Sequence, residues 1–132
     1  MCLNTNQLYA RKAEKDIVCY KLLILDSYNL YSPYYGNMSW EIGLLHTDPH
    51  FKKEAKSIVI SHYTVHYAFH TYKHLQDAKS LGEGCNYRCF ECIIPQDSLY
   101  YEGWVNGAHD IMGYGSEKLK IVREIKIQAP YY

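Results

Sequence analysis

Four histidines recur at intervals of four: His62, His66, His70 and His74. On a helix that spacing stacks side chains on one face, where two of them could share a metal ion. In a strand the same four share parity and form a polar row instead. Tyr63, Val65, Tyr67 and Phe69 alternate through this segment and are β-branched or aromatic. The period of two therefore prevails, and Tyr63–His70 reads as one strand with an aromatic core face. His66 and His70 become candidate ligand contacts rather than a chelate. Cys85, Cys89 and Cys92 form the second group, and three thiolates in one loop can hold a cluster or, with a histidine, zinc. Yet Tyr87–Ile94 also alternates like a strand, and there an odd separation turns Cys89 and Cys92 to opposite faces. No further Cys or His pair is spaced to complete a tetrahedral site. No metal and no cofactor is expected.

The cysteine spacing resembles the cluster-binding loop of radical S-adenosylmethionine enzymes, but Glu91 stands where that loop carries an aromatic. His62-Tyr63-Thr64 is similar to the His-x-Thr element of two-histidine phosphoesterases. A second copy is missing, and one histidine cannot be both acid and base there. There is no Gly-x-Ser-x-Gly elbow, and Gly82-Glu83-Gly84 lacks the rest of a phosphate loop. Catalytic residues are thus not assigned, and binding chemistry remains. Tyrosine supplies 15 of 132 residues, against three Phe and two Trp. Its flat apolar face and polar tip suit both the edge of a β-rich core and a recognition surface. The candidate ligand-binding set is Lys21, Tyr34, Tyr35, His66, His70, Tyr72, Arg88, Tyr100 and Tyr101. The tyrosines would stack a base while Lys21, Arg88 or a histidine holds phosphates.

The elements that must position these residues follow from patterning. Ile17–Leu25 reads as a buried strand ended by Asp26-Ser27, and Tyr28–Tyr31 as a short return strand stopped by Ser32-Pro33. Met38–Ile42 reads as a short strand closed by Gly43. Residues 51–57 suggest a helical turn before Ile58–Ile60 becomes β-like. Thr71 is placed to cap a helix from Tyr72 to about Leu81, with Gly82 ending it. Strands follow at Tyr87–Ile94 and Leu99–Trp104, then a Gly-containing loop from Asn106 to Gly115. A last half-exposed strand runs from Lys118 to Ile127. The expected fold class is α+β: one small domain over 1–132, an antiparallel or mixed sheet, and one or two short helices. Its core would span 15–127, with 1–14 and 128–132 peripheral.

Composition narrows the function classes. Fourteen Lys+Arg balance fourteen Asp+Glu, so the formal charge is zero. That disfavours nonspecific nucleic-acid binding and a polybasic membrane anchor. The longest aliphatic run, Leu22–Leu25, is far short of the roughly 20 residues that span a bilayer. The polar start of the chain has no signal-peptide character, and five cysteines are a poor disulfide framework. Reduced thiols and a cytoplasmic location are the expectation.

Several short elements together resemble a loosely defined group of small uncharacterised proteins from tailed phages and gut bacteria. They are Val18-Cys19-Tyr20-Lys21, Ser32-Pro33-Tyr34-Tyr35, Trp40-Glu41-Ile42-Gly43, Phe69-His70-Thr71-Tyr72, Asp77-Ala78-Lys79, Cys92-Ile93-Ile94-Pro95, Tyr100-Tyr101-Glu102-Gly103 and Ser116-Glu117-Lys118-Leu119. The resemblance implies a phage or mobile-element accessory protein that counters host defence. The order strand, Phe-His, helix, strand, terminal strand is also similar to part of the ADP-ribosyltransferase fold. That likeness implies an NAD-using enzyme, with His70, Tyr72 and Glu117 or Glu124 as loose counterparts of its catalytic set. The leading expectation is a non-catalytic binder of a nucleotide-like small ligand or a host protein, acting as a homo-oligomer with symmetric sites.

Overall fold

The computed structural model describes residues 3–26, 29–32, 39–59, 62–83, 86–105 and 108–126. Its strands are β1 (Leu3–Thr5), β2 (Arg11–Lys12), β3 (Ile17–Asp26), β4 (Asn29–Tyr31), β5 (Ser39–Trp40), β6 (Leu45–Thr47) and β7 (Lys56–Val59). They continue as β8 (His62–Val65), β9 (Phe69–Tyr72), β10 (Tyr87–Ile94), β11 (Leu99–Val105), β12 (Ala108–Ser116) and β13 (Lys118–Ile125). One helix, α1 (Leu75–Gly82), stands among them. The strands form one sheet in the order β6-β13-β10-β3-β9-β12-β11-β1-β8-β7, with β2 beside β11, β4 beside β3 and β5 beside β4. Every ladder is antiparallel.

This architecture corrects the α+β expectation: the chain is mostly antiparallel β with a single short helix among the described residues. Two segments account for the difference. The helical turn expected at 51–57 is absent, and Lys56 and Ser57 instead pair with Thr64 and Tyr63. The loop expected from Asn106 to Gly115 is largely β12, which pairs along β11 and β9. No helix among the described residues is long and apolar enough to cross a membrane.

The alternation in β3 and β10 builds two cores on opposite faces. The strands pair antiparallel from Ile17↔Ile94 to Ile24↔Tyr87. Cys19, Leu23, Phe90, Cys92 and Ile94 pack on one face with Phe69, Tyr114, Leu119 and Ile121, beneath Leu30 and Trp40. Leu22 and Cys89 pack on the other with Tyr72 and Ala78 of α1. Cys89 and Cys92 therefore point apart, as their odd separation requires. A register shift between Glu91 and Cys92 keeps Ile121 on the first face while Arg123 pairs with Glu91. Thr71 is not the helix cap; it lies in β9 opposite Tyr114, and the helix begins after His74 without a side-chain cap.

The strand expected over Tyr63–His70 is two strands. β8 pairs with β1 and β7, β9 pairs with β12 and β3, and His66–Ala68 turn between them. Tyr67 is consequently 54% exposed while Phe69 is buried, so the aromatic face does not continue through the segment. The sheet also curls. In a flat sheet β8 would lie three strands from β12, roughly 14 Å away. A Cβ placed on Gly115 would stand only 3.4 Å from Val65 Cγ1 and 3.5 Å from Leu3 Cδ2. β1 and β8 thus fold back over β12 and enclose Leu3, Val65, Ala68 and Tyr101. A Cβ on Gly115 would also crowd Ala68 Cβ at 3.2 Å, and one on Gly113 would meet the Thr71 carbonyl oxygen at 2.6 Å, so this core strand carries a loop-like composition. Leu3–Thr5, expected at the periphery, is instead an inner strand flanked by β11 and β8.

Candidate functional site

The face beneath Trp40 carries the most unusual chemistry. Lys21 shares parity with Cys19 and Leu23 and is only 5% exposed. Its Nζ donates one hydrogen bond, to the His70 carbonyl oxygen at 2.8 Å, and lies 5.4 Å from the Trp40 ring centroid. No carboxylate pairs with it among the described residues. Burial is the main cause that lowers the ammonium from 10.5 to about 8. The same burial pushes Cys19 up to about 12 and Cys92 well above 9.0, so both are protonated thiols. Such thiols are poor nucleophiles.

Three buried polar atoms accompany Lys21. Trp40 Nε1, Thr71 Oγ1 and Ser116 Oγ have no hydrogen-bond partner of ordinary geometry. Thr71 Oγ1 lies beside the Cys19 thiol, a weak partner. Antiparallel register gathers the set. Tyr20 pairs with Tyr72, which sets Lys21 beside Thr71, and Ser116 pairs with Phe69, two residues along the same face. Trp40 packs on Phe69 with ring centroids 4.9 Å apart.

A groove of about 280 Å³ opens at the edge of this face, lined by Arg11, Lys12, Glu14, Lys15, Ile17 and Tyr100. Arg11 pairs with Tyr100 across β2 and β11, which puts its guanidinium over the ring, 5.4 Å from the centroid. Tyr114 meets Tyr100 edge-on, with centroids 6.0 Å apart. Glu102 accepts Lys73 at 2.8 Å and stands 3.7 Å from Arg11. Lys12 reaches Asp97 at 4.0 Å, both well exposed, and Lys15 has no carboxylate within pairing distance among the described residues. The segment is fixed by Ala13 N donating to the Ser98 carbonyl and Gln96 N donating to Asp16, each at 2.8 Å.

The sequence-derived candidates disperse. Lys21, Tyr100 and Arg88 share one face, with Arg88 at its rim, 3.7 Å from Glu124. His70 and Tyr72 belong to other surroundings. His70 is buried with Nε2 3.2 Å from the Val65 carbonyl oxygen, and Tyr72 packs under α1. Burial, then the Lys21 charge, lowers His70 from 6.5 to about 4, so it stays neutral. Tyr101 is buried in the curl and donates to the Lys52 carbonyl at 2.7 Å. His66 is exposed and lines a separate pocket of about 220 Å³ with Lys52, Lys56 and Tyr67. Tyr34, Tyr35 and Cys85 lie outside the described residues. Among the described residues no group of three His, Cys, Asp or Glu could hold a metal. His70 faces away from the rim that holds Glu124, so the pair does not meet. Sequence reasoning missed Arg11, Lys12 and Lys15, whose clustered cations were a visible signal, and Trp40, Thr71 and Ser116, which gave none. No protein-family model, curated protein or solved structure matches the chain.

Proposed function

We propose that the protein is a non-catalytic binder that captures a small nucleotide-like anion in the groove beside Tyr100. One observation carries this reading: Arg11 lies over the Tyr100 ring in a groove that Lys12 and Lys15 also line and whose lining holds a single carboxylate, Glu14. A base stacks on Tyr100, alongside or in place of the Arg11 guanidinium, and the displaced guanidinium joins Lys12 and Lys15 on the phosphates. Capture without chemistry would serve an accessory protein of the kind its sequence resembles, by lowering the free concentration of a host signalling nucleotide.

Thermal-shift titration with nucleoside mono- and diphosphates tests the proposal. A ligand at a hundred times its dissociation constant stabilises the fold by about 2.7 kcal/mol, a readily measured rise in melting temperature. Tyr100→Ala and Lys15→Ala should each weaken that response. Absence of a shift with every nucleotide, or a shift unchanged in both variants, refutes the groove as the site.

A further inference from the structure

We propose that Lys21, Trp40, Thr71 and Ser116 form a second, buried site that binds one small inorganic anion. The inference is independent of the groove. All four side chains are at least nine-tenths buried: Lys21 is 5% exposed, Trp40 4%, Thr71 1% and Ser116 0%. Each carries a proton it can donate, and the described residues satisfy almost none of them. Lys21 spends one of three N–H groups on the His70 carbonyl, the indole N–H and the Ser116 hydroxyl lack partners, and the Thr71 hydroxyl has only the weakly bonding Cys19 thiol beside it.

Buried polar groups are ordinarily hydrogen-bonded, and a buried charge is ordinarily paired. Here the deficit is one-sided: four donor groups and a positive charge fall in one patch with no carboxylate. Thr71 and Ser116 lie on the adjacent strands β9 and β12 and on the same face, each two residues along from the other's pairing partner, within the roughly 7–8 Å reach of diagonal neighbours. The indole of Trp40 lies over both Lys21 and Phe69. An anion would take the unspent donors at once and supply the missing counter-charge. Apolar Leu23, Phe69 and Phe90 fill the rest of the surroundings, which favours a monatomic or small polyatomic ion over an organic ligand.

Bromide is the probe, because its anomalous scattering separates it from water. Crystals grown in sodium bromide should show an anomalous peak within hydrogen-bond distance of Lys21 Nζ. In solution, bromide should raise the melting temperature above that in sodium gluconate of equal ionic strength. Thr71→Val, which keeps the shape of the side chain, should weaken the bromide response several-fold, and Lys21→Met should abolish it. Lys15→Ala, in the groove, should leave it intact. A water without anomalous signal at Lys21, or an equal bromide response in Lys21→Met and wild type, overturns the proposal.

Discussion

Replacing Lys21 with methionine should stabilise the protein at neutral pH and remove a specific pH dependence. In the unfolded chain the ammonium titrates at 10.5, and in the fold at about 8. Below pH 8 both states are charged and the fold bears the full cost of a buried cation. Between pH 8 and 10.5 the unfolded chain holds a proton that the fold has released, so stability rises with pH through this window. At about 1.4 kcal/mol per pH unit the whole window is worth roughly 3 kcal/mol. About 1.3 kcal/mol of that falls between pH 7 and 9. Cys19 works in the opposite sense from pH 9 upward, because its folded value of about 12 exceeds 9.0, so the wild-type curve alone would blur the effect. The difference between wild type and Lys21→Met isolates it. Met fills a similar volume without a charge, while the His70 carbonyl loses a hydrogen bond worth about 1 kcal/mol. Urea denaturation in low-salt buffer at pH 7, 8 and 9 should show the variant ahead by roughly 1–2 kcal/mol at pH 7, with the gap closing toward pH 9. A variant destabilised at pH 7, with a gap that does not change with pH, would show that the buried lysine is not strained by its burial.

His70 supplies the acid-side counterpart. Its value of about 4 in the fold against 6.5 unfolded gives stability that is fully present above pH 6.5 and lost as pH falls toward 4, roughly 3 kcal/mol in all. Denaturation midpoints should drop across that range, and His70→Gln should flatten the slope. Gly103→Ala sets a Cβ onto the Asn4 carbonyl oxygen in the neighbouring β1. Backbone cannot retreat as a flexible side chain can, so calorimetry should report a loss of about 2–4 kcal/mol. Cys19, Cys89 and Cys92 are buried, and burial raises each thiol. Of the five thiols, a native titration with a disulfide reagent should therefore find these three unreactive until denaturant is added; rapid native reaction at any of them would contradict the burial.

Strands whose two faces meet different surroundings were readable. Ile17–Leu25 and Tyr87–Ile94 alternate because each packs against a core on both sides, and β3 and β10 follow those bounds closely. Their parity also separated Cys89 from Cys92 correctly. The pattern failed where a strand's composition answers to a distant neighbour. Gly113 and Gly115 look like loop residues, yet the Thr71 carbonyl crowds the place of a side chain at the first and Ala68 at the second. No window around residue 115 contains residues 68 and 71. Alternation from Tyr63 to Phe69 likewise carried no mark of the turn at His66–Ala68, since the break is imposed by two different sets of pairing partners. The site fared the same way. Lys21 was singled out for its charge, but that it would be buried without a carboxylate depends on β9 and Trp40 lying against it, which is long-range information.

The position of β1 governs when the fold can be completed. Leu3 pairs with Val65 on one side and Val105 on the other, so β1, synthesised before the other strands described, has no complete slot until the chain beyond residue 105 has followed it. Loop closure of that length is slow, and until it occurs the β11 and β8 edges flanking the slot are bare backbone. A nascent or truncated chain ending before β11 would present the β8 edge to any extended peptide nearby, including the first strand of another copy. Donation of β1 between molecules is therefore the misassembly this topology most exposes itself to during synthesis.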